Sequence, residues 1–363
     1  MIQKIQFRLT LLLLLMPILL MANNSVELVK TTKERKIKKT FDVSSNATMK
    51  VKNSFGNLDI ITWDQNKIEF DITIKVTGNN EEKVQDRLER IDVEFSSTSD
   101  LVSAITKIGK NEKNWWNWGE KMNLQLEINY VIKMPITNNV DLSNDYGSIN
   151  LDKLEGVAKI VCDYGKITTK ELMAENNDIR FDYSSSCYFE YINSGSIRAD
   201  YSGFTVSKTK ELKLYADYTK SIIETSESVN YTCDYGSLKI DNINNLTGKG
   251  DYLSLRLGNV FKNIDINSNY GSIKIDRMAS KAKNININSD FTGITIGHDP
   301  GYNFDFDINL DYASLRESDG FNFTSKEVNV TDKKYKGYYG SQNSGNLVKI
   351  NSEYGSITFK NID

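Results

Sequence analysis

Apolar residues alternate with polar ones along most of the chain. Ile264, Ile266, Ser268 and Tyr270 run two apart and are followed by Ile273 and Ile275. Ile285, Ile287, Ser289 and Phe291 are followed by Ile294 and Ile296, and Val348, Ile350, Ser352 and Tyr354 by Ile357 and Phe359. A period of two marks a strand with these side chains on one face. The step of three across the intervening Gly-Ser keeps both strands facing one interior. That requires a bend or bulge, and glycine supplies the backbone freedom for it. Each unit therefore reads as strand, Gly-Ser corner, strand, loop, with parity placing the aromatic residue on the inward side.

The unit Asp145-Tyr146-Gly147-Ser148-Ile149 returns at Tyr164, Tyr235, Tyr270 and Tyr354, with looser copies at Tyr183, Tyr201, Tyr218, Tyr252, Phe291 and Tyr312. From Tyr146 to Tyr312 the steps are 18, 19, 18, 17, 17, 17, 18, 21 and 21 residues; Tyr312 to Tyr354 is 42, read as two steps of 21 with a degenerate middle copy. A near-fixed step of this size marks a solenoid, whose repeats bury their apolar faces only by stacking. The expected fold is all-β, a single-stranded parallel β-helix, right-handed, with coils about 4.8 Å apart. An antiparallel all-β protein with turns at the same spacing is the alternative. Its hairpins would alternate in direction, and nothing would then place the same Asp-Tyr-Gly at every second turn.

The divisions of the chain follow. Residues 1–22 read as a secretory signal: Lys4 and Arg8 precede an apolar run over 9–20, and Ala22 offers a cleavage site. That run is too short for a membrane span, and no later segment is apolar enough for one. Residues 23–40 read as a flexible polar arm. Residues 41–135 read as a β-rich N-terminal cap containing one short helix between Asn79 and Arg90, with Val84, Leu88 and Ile91 on one face and Glu81 and Glu82 in its first turn. Residues 136–363 form the solenoid, with 331–346 as a loop thrown out of one coil. The chain ends on a repeat strand, so the last coil is expected to be bare, with unpaired edges open to self-association.

The order of signal, opening strand pair around Phe55-Gly56-Asn57-Leu58-Asp59-Ile60, strand ending in Tyr130-Val131-Ile132-Lys133-Met134-Pro135, and then Gly-Ser-Ile coils resembles the bacterial putative-adhesin β-solenoid family. The resemblance covers nearly all of the chain after the signal. It implies export in Gram-negative bacteria, often of the Bacteroidetes type, and supplies no catalytic residues.

Charge and chemistry narrow the function. The formal net charge is −3, and removal of Lys4 and Arg8 leaves 43 basic against 48 acidic residues, or −5. This argues against a nucleic-acid partner. Cys162 and Cys233 both lie two residues before a repeat tyrosine, four coils or roughly 19 Å apart, beyond disulfide reach. With Cys187 they read as buried free thiols. The repeated aspartates Asp145, Asp163, Asp182, Asp200, Asp217, Asp234, Asp251, Asp290 and Asp311 would stack into a column, where neighbours repel by about 1 kcal/mol even in water-like dielectric. Asx turns onto the Gly-Ser corner offset this; a row of Ca²⁺ ions is the sharper alternative. The aromatic column reads as an internal stacking ladder, against the alternative of an exposed platform for sugar rings.

Trp115, Trp116 and Trp118 lie in a polar loop between strands. They are the candidate ligand-binding residues, for carbohydrate, partner or membrane-interface contact, with a lid over the solenoid end as the alternative. The single histidine, His298, beside Asp299-Pro300-Gly301, reads as a turn residue and excludes a two-histidine metal site. No nucleophile elbow or phosphate loop occurs, and no cofactor or metal is implied. The leading expectation is an exported, non-enzymatic adhesin-like protein, periplasmic, outer-membrane-associated or extracellular, binding a glycan or surface protein. The alternatives are a structural envelope protein that self-associates through its C-terminal coil, and a polysaccharide-cleaving enzyme.

Overall fold

The computed structural model describes residues 30–109 and 124–362. They are almost entirely strand, with one helix, joined in a long open sheet. The sheet is mixed: parallel through its middle and antiparallel at both ends. Each central repeat contributes a strand on either side of its aromatic residue. Ala158–Asp163 lies between Asn139–Asp145 and Asn177–Asp182, and Ile167–Leu172 between Ile149–Leu151 and the first half of Cys187–Asp200. The register advances by one repeat per rung, so that Asp145, Asp163, Asp182, Asp200, Asp217 and Asp234 are successive partners.

The alternating aliphatic residues face inward. Ile160, Ile167, Leu214, Ile240, Ile266, Ile273 and Ile287 are buried in one apolar cluster that continues through the stack. Burial of each such side chain contributes about 1.5–3 kcal/mol. Cys162, Cys187 and Cys233 are buried and free. Burial pushes the Cys162 and Cys233 thiols up to about 12, so they stay protonated and fill the core as small apolar groups.

At the N-terminal end, Thr48–Ser54 and Leu58–Trp63 flank Phe55 as a first repeat. Beyond it Leu101–Ile108 pairs in parallel with Thr48–Ser54 and Gln125–Pro135 with Leu58–Trp63, and antiparallel strands close the end. Ile91–Ser97 lies on Leu101–Ile108, Lys67–Gly78 on Gln125–Pro135, and Thr31–Asp42 on Lys67–Gly78. Residues 31–40 are thus strand, not flexible arm. Their lysines fit an edge strand, where charge blunts further pairing, while Ile37 and Phe41 pack on the core. The helix Glu81–Glu89 forms where its pattern places it, capped by Asn80 Oδ1 accepting the Lys83 N–H at 3.0 Å.

The C-terminal end departs from sequence order. Leu347–Glu353 inserts between Ile285–Asp290 and Phe304–Asp311, and Ser356–Asn361 between Gly293–His298 and Ser314–Arg316. The last coil is therefore flanked on both sides, which removes the expected bare C-terminal coil as a self-association surface. It also explains the step of 42: Tyr354 stacks beneath Tyr312, and no degenerate copy lies between them in the stack. Residues 331–346 are not simply a loop. Asp332–Tyr339 is a strand antiparallel to both Phe304–Asp311 and Phe321–Val328, and this hairpin covers the outer repeat. His298 is no exposed turn residue: its ring is fully buried against Tyr339, Phe304 and Phe359, with Nε2 3.1 Å from Ser318 Oγ.

Candidate functional site: the two long edges of the stack

One edge is the aromatic corner. Phe55, Tyr146, Tyr164, Tyr183, Tyr201, Tyr218, Tyr235, Tyr252, Tyr270, Phe291, Tyr354 and Tyr312 form an unbroken ladder, with centroids 4.7–5.3 Å apart and planes within 10°. Every one has a positive φ, between 47° and 63°. A side chain in this region costs roughly 1–2 kcal/mol. The left-handed residue inverts the strand alternation, so the ring turns outward, 41–59% exposed, and the next residue takes the inward place. The parity reading that placed the ladder inside therefore fails at the corner. The rings are exposed, yet their faces cover one another. Along its length the ladder presents edges and hydroxyls, which is not a platform for stacking sugar rings.

The corner is held by contacts between rungs. Tyr146 N–H donates to Asp163 O at 3.0 Å, Tyr164 to Asp182 and Tyr201 to Asp217. Glycine follows several of the rings for lack of space: a Cβ on Gly147 would lie 1.9 Å from Gly56 O, and one on Gly165 2.1 Å from Gly147 O. Where serine or threonine follows instead, its hydroxyl finds a carbonyl, as Thr219 Oγ1 does on Ala199 O at 2.9 Å. From Asp163 to Asp251 the aspartate column is satisfied across rungs, not by its own Gly-Ser corner, whereas Asp290 Oδ1 is buried with no partner among the described residues. Asp163 Oδ1 accepts the Asp182 N–H, and the pattern continues through Asp200, Asp217 and Asp234 to Asp251 at 2.8–3.2 Å. Burial, then flanking aspartates, pushes the Asp163 and Asp217 carboxyls up, opposed by these N–H bonds. Among the described residues no three histidines, cysteines or acids lie together in a way that would hold a metal ion.

The opposite edge varies. The inward-facing positions on either side of this edge are five residues apart at 172–177 and three at 192–195, 209–212, 226–229 and 243–246, all of them buried except the half-buried Gly195. They are four apart at 260–264 and seven at 278–285. Short rungs flanked by longer ones make a saddle, and two hollows occupy it. One, of about 540 Å³, is lined by Glu175, Asp178, Arg198, Lys210, Lys213 and Tyr215 among others. The second, of about 200 Å³, includes Tyr191, Lys208, Glu227, Asn242 and Phe261. Lys210 borders both. The Arg198 guanidinium lies over the Tyr215 ring at 4.4 Å, Asp178 bridges Arg180 at 3.0 Å and accepts Ser196 Oγ at 3.1 Å, and the buried Asn177 donates to Ser194 O at 3.0 Å. The floor is thus fixed, while Lys210, Lys213, Glu175 and Glu211 line the same hollow with no ion pair among the described residues.

Trp115, Trp116 and Trp118 lie outside the described residues. Sequence reasoning missed the saddle, although its signal is present. The steps fall from 19 through 18 to 17 across the larger hollow, stay at 17 along the second and rise to 21 beyond them.

No family model matches the chain, and no curated protein matches it. Solved structures do. A crystal structure named putative adhesin from Parabacteroides distasonis aligns over 90% of this chain and 97% of its own, at 8% identity and a TM-score of 0.33. One named putative cell adhesion protein from Clostridium sporogenes covers 91% and 100%, at 12% and 0.17. One named putative lipid binding protein from Parabacteroides distasonis covers 90% and 96%, at 10% and 0.29. The adhesin names agree with the family that the sequence resembles.

Proposed function

We propose that the chain is an exported, non-enzymatic parallel β-solenoid that acts as an adhesin-like binding protein of the cell envelope, and that its ligand, a glycan, lies in the saddle opposite the aromatic corner. The observation that supports this is the larger hollow itself. It combines a fixed polar floor with cationic and anionic side chains and one aromatic ring, Tyr215, the mixture of groups that sets the orientation of a polar ligand in a concave site. A glycan array probed with the full chain tests the reading. Binding that drops at least about tenfold in Arg198→Ala and Tyr215→Ala, equivalent to about 1.4 kcal/mol, supports it. Binding that is unchanged in both but lost in a Trp115→Ala/Trp116→Ala/Trp118→Ala variant moves the site to the tryptophan segment.

The arrangement of Asp178, Arg198 and Lys213 on one outer face is also what a polysaccharide-cleaving enzyme would use. Release of new reducing ends from an acidic glycan by the full chain, lost in Asp178→Asn, would replace binding by catalysis.

A further inference from the structure

The last strands of the chain are not the last of the stack. The outer repeat and its covering hairpin precede, in sequence, the rung that lies beneath them. Both neighbours present the same register to that rung. Ile350 pairs with Ile287 on one side and Ile308 on the other. Tyr354 lies 4.7 Å from Phe291 and 5.1 Å from Tyr312. Asn351 donates to Asn288 Oδ1 at 2.8 Å and accepts from Asn309 at 3.0 Å.

The slot also favours being filled. Ser289 donates to Ser352 at 3.1 Å inside the core. If the two neighbours closed on each other in the same register, Ser289 would face Leu310, and a buried hydroxyl would lose its partner. None of these contacts requires the rung to come from the same chain. The backbone ladder, ring, amide and hydroxyl all belong to residues 347–361, and a second copy would supply the same groups. The covalent constraint is the connector over residues 340–346, where Gly340, Asn343 and Gly345 take positive φ. It crosses the start of Phe304–Asp311, Ser341 N–H donating to Asn303 Oδ1 and Asn343 N–H to Asp305 Oδ1.

We infer that residues 347–361 form an exchangeable rung, which one copy of this chain donates into the corresponding slot of a second copy to give a swapped assembly. Exchange of an identical element adds no new interface chemistry and is a low-cost route to association, to which repeat proteins are prone.

Asn288 and Asn351 are partners on adjacent rungs. Full-length N288C and N351C chains are mixed, unfolded and refolded together in reductant, and oxidised only once folded, when Cys162, Cys187 and Cys233 are buried. A disulfide-linked dimer of one variant with the other, absent when either is refolded alone, is the expected result, because the terminal rung of one copy must then lie in the slot of the other. The N288C/N351C double variant, refolded at high dilution, is expected to close an internal bridge. If the double variant closes while the mixture gives no more linked dimer than the single variants, the rung is not exchanged and the proposal fails. If the double variant does not close, the rung does not occupy the slot, and the proposal fails equally.

Discussion

The two long edges of the stack are built from the same chain by opposite rules. At the aromatic corner every rung repeats one conformation, with the same left-handed residue, outward ring and hydrogen bond to the next rung. At the opposite edge the span between strands is three residues on four successive rungs and four to seven elsewhere. The difference teaches how a repeat protein divides labour. The constant edge sets register, because any change there meets the backbone of a neighbouring rung. The variable edge meets solvent and is free to take the shape that makes a hollow.

Breaking the constant edge should have the largest effect. Gly147→Ala places a Cβ 1.9 Å from a backbone oxygen that cannot move without disturbing its own rung. A loss of about 3 kcal/mol is expected in urea unfolding. Gly293→Ala, with nothing within 4 Å of the added atom, should stay within about 0.5 kcal/mol. Equal losses at the two positions would remove the close-approach explanation.

A second pair of variants separates the ring from its strained backbone. Tyr218→Ala removes stacking on Tyr201 and Tyr235 and should cost about 2 kcal/mol. Tyr218→Gly loses the same rings but relieves the left-handed strain, so it should cost about 1 kcal/mol less. If glycine were the worse of the two, the positive φ would not be a source of strain.

At the variable edge the expectation reverses, with little effect on stability and a large one on binding. Insertion of two glycines between Lys210 and Glu211 should shift stability by no more than about 1 kcal/mol while filling the saddle and abolishing glycan capture. A large loss of stability from this insertion would mean that the two edges are equally constrained.

The smallest effect concerns pH. Burial and the flanking aspartates raise the Asp217 carboxyl above its ordinary value, so the folded state holds that proton to higher pH than the unfolded chain. Its contribution favours folding most at pH below the ordinary carboxylate value of about 4 and declines as pH rises through the raised one. Asp217→Asn keeps an oxygen acceptor and removes the charge. It should raise stability at neutral pH by less than about 1 kcal/mol and flatten the decline. A steeper decline would show that the carboxylate charge stabilises the column.

Much of this was legible beforehand. The repeat, the inward aliphatic residues, the buried cysteines and the helix capped near Asn80 all follow from local pattern. The orientation of the rings was not legible, since alternation assumes strand geometry and Tyr146 and its counterparts leave it for the left-handed region. Nor was the strand at 31–42, whose lysines read as disorder until Lys67–Gly78 supplies a partner. The candidate site was half visible, as a shortening of the step from 19 to 17 residues across the larger hollow.

The sequence by itself determined that there are rungs, how many residues each holds from Tyr146 to Tyr312 and which aliphatic side chains line their common interior. Those properties are local, because every rung meets the same backbone environment and so selects the same residues. Only the tertiary structure decided the order of the final rungs. A rung that matches Phe291 also matches Tyr312, so register alone permits either arrangement, and the packing of hairpin and connector places Tyr354 between them.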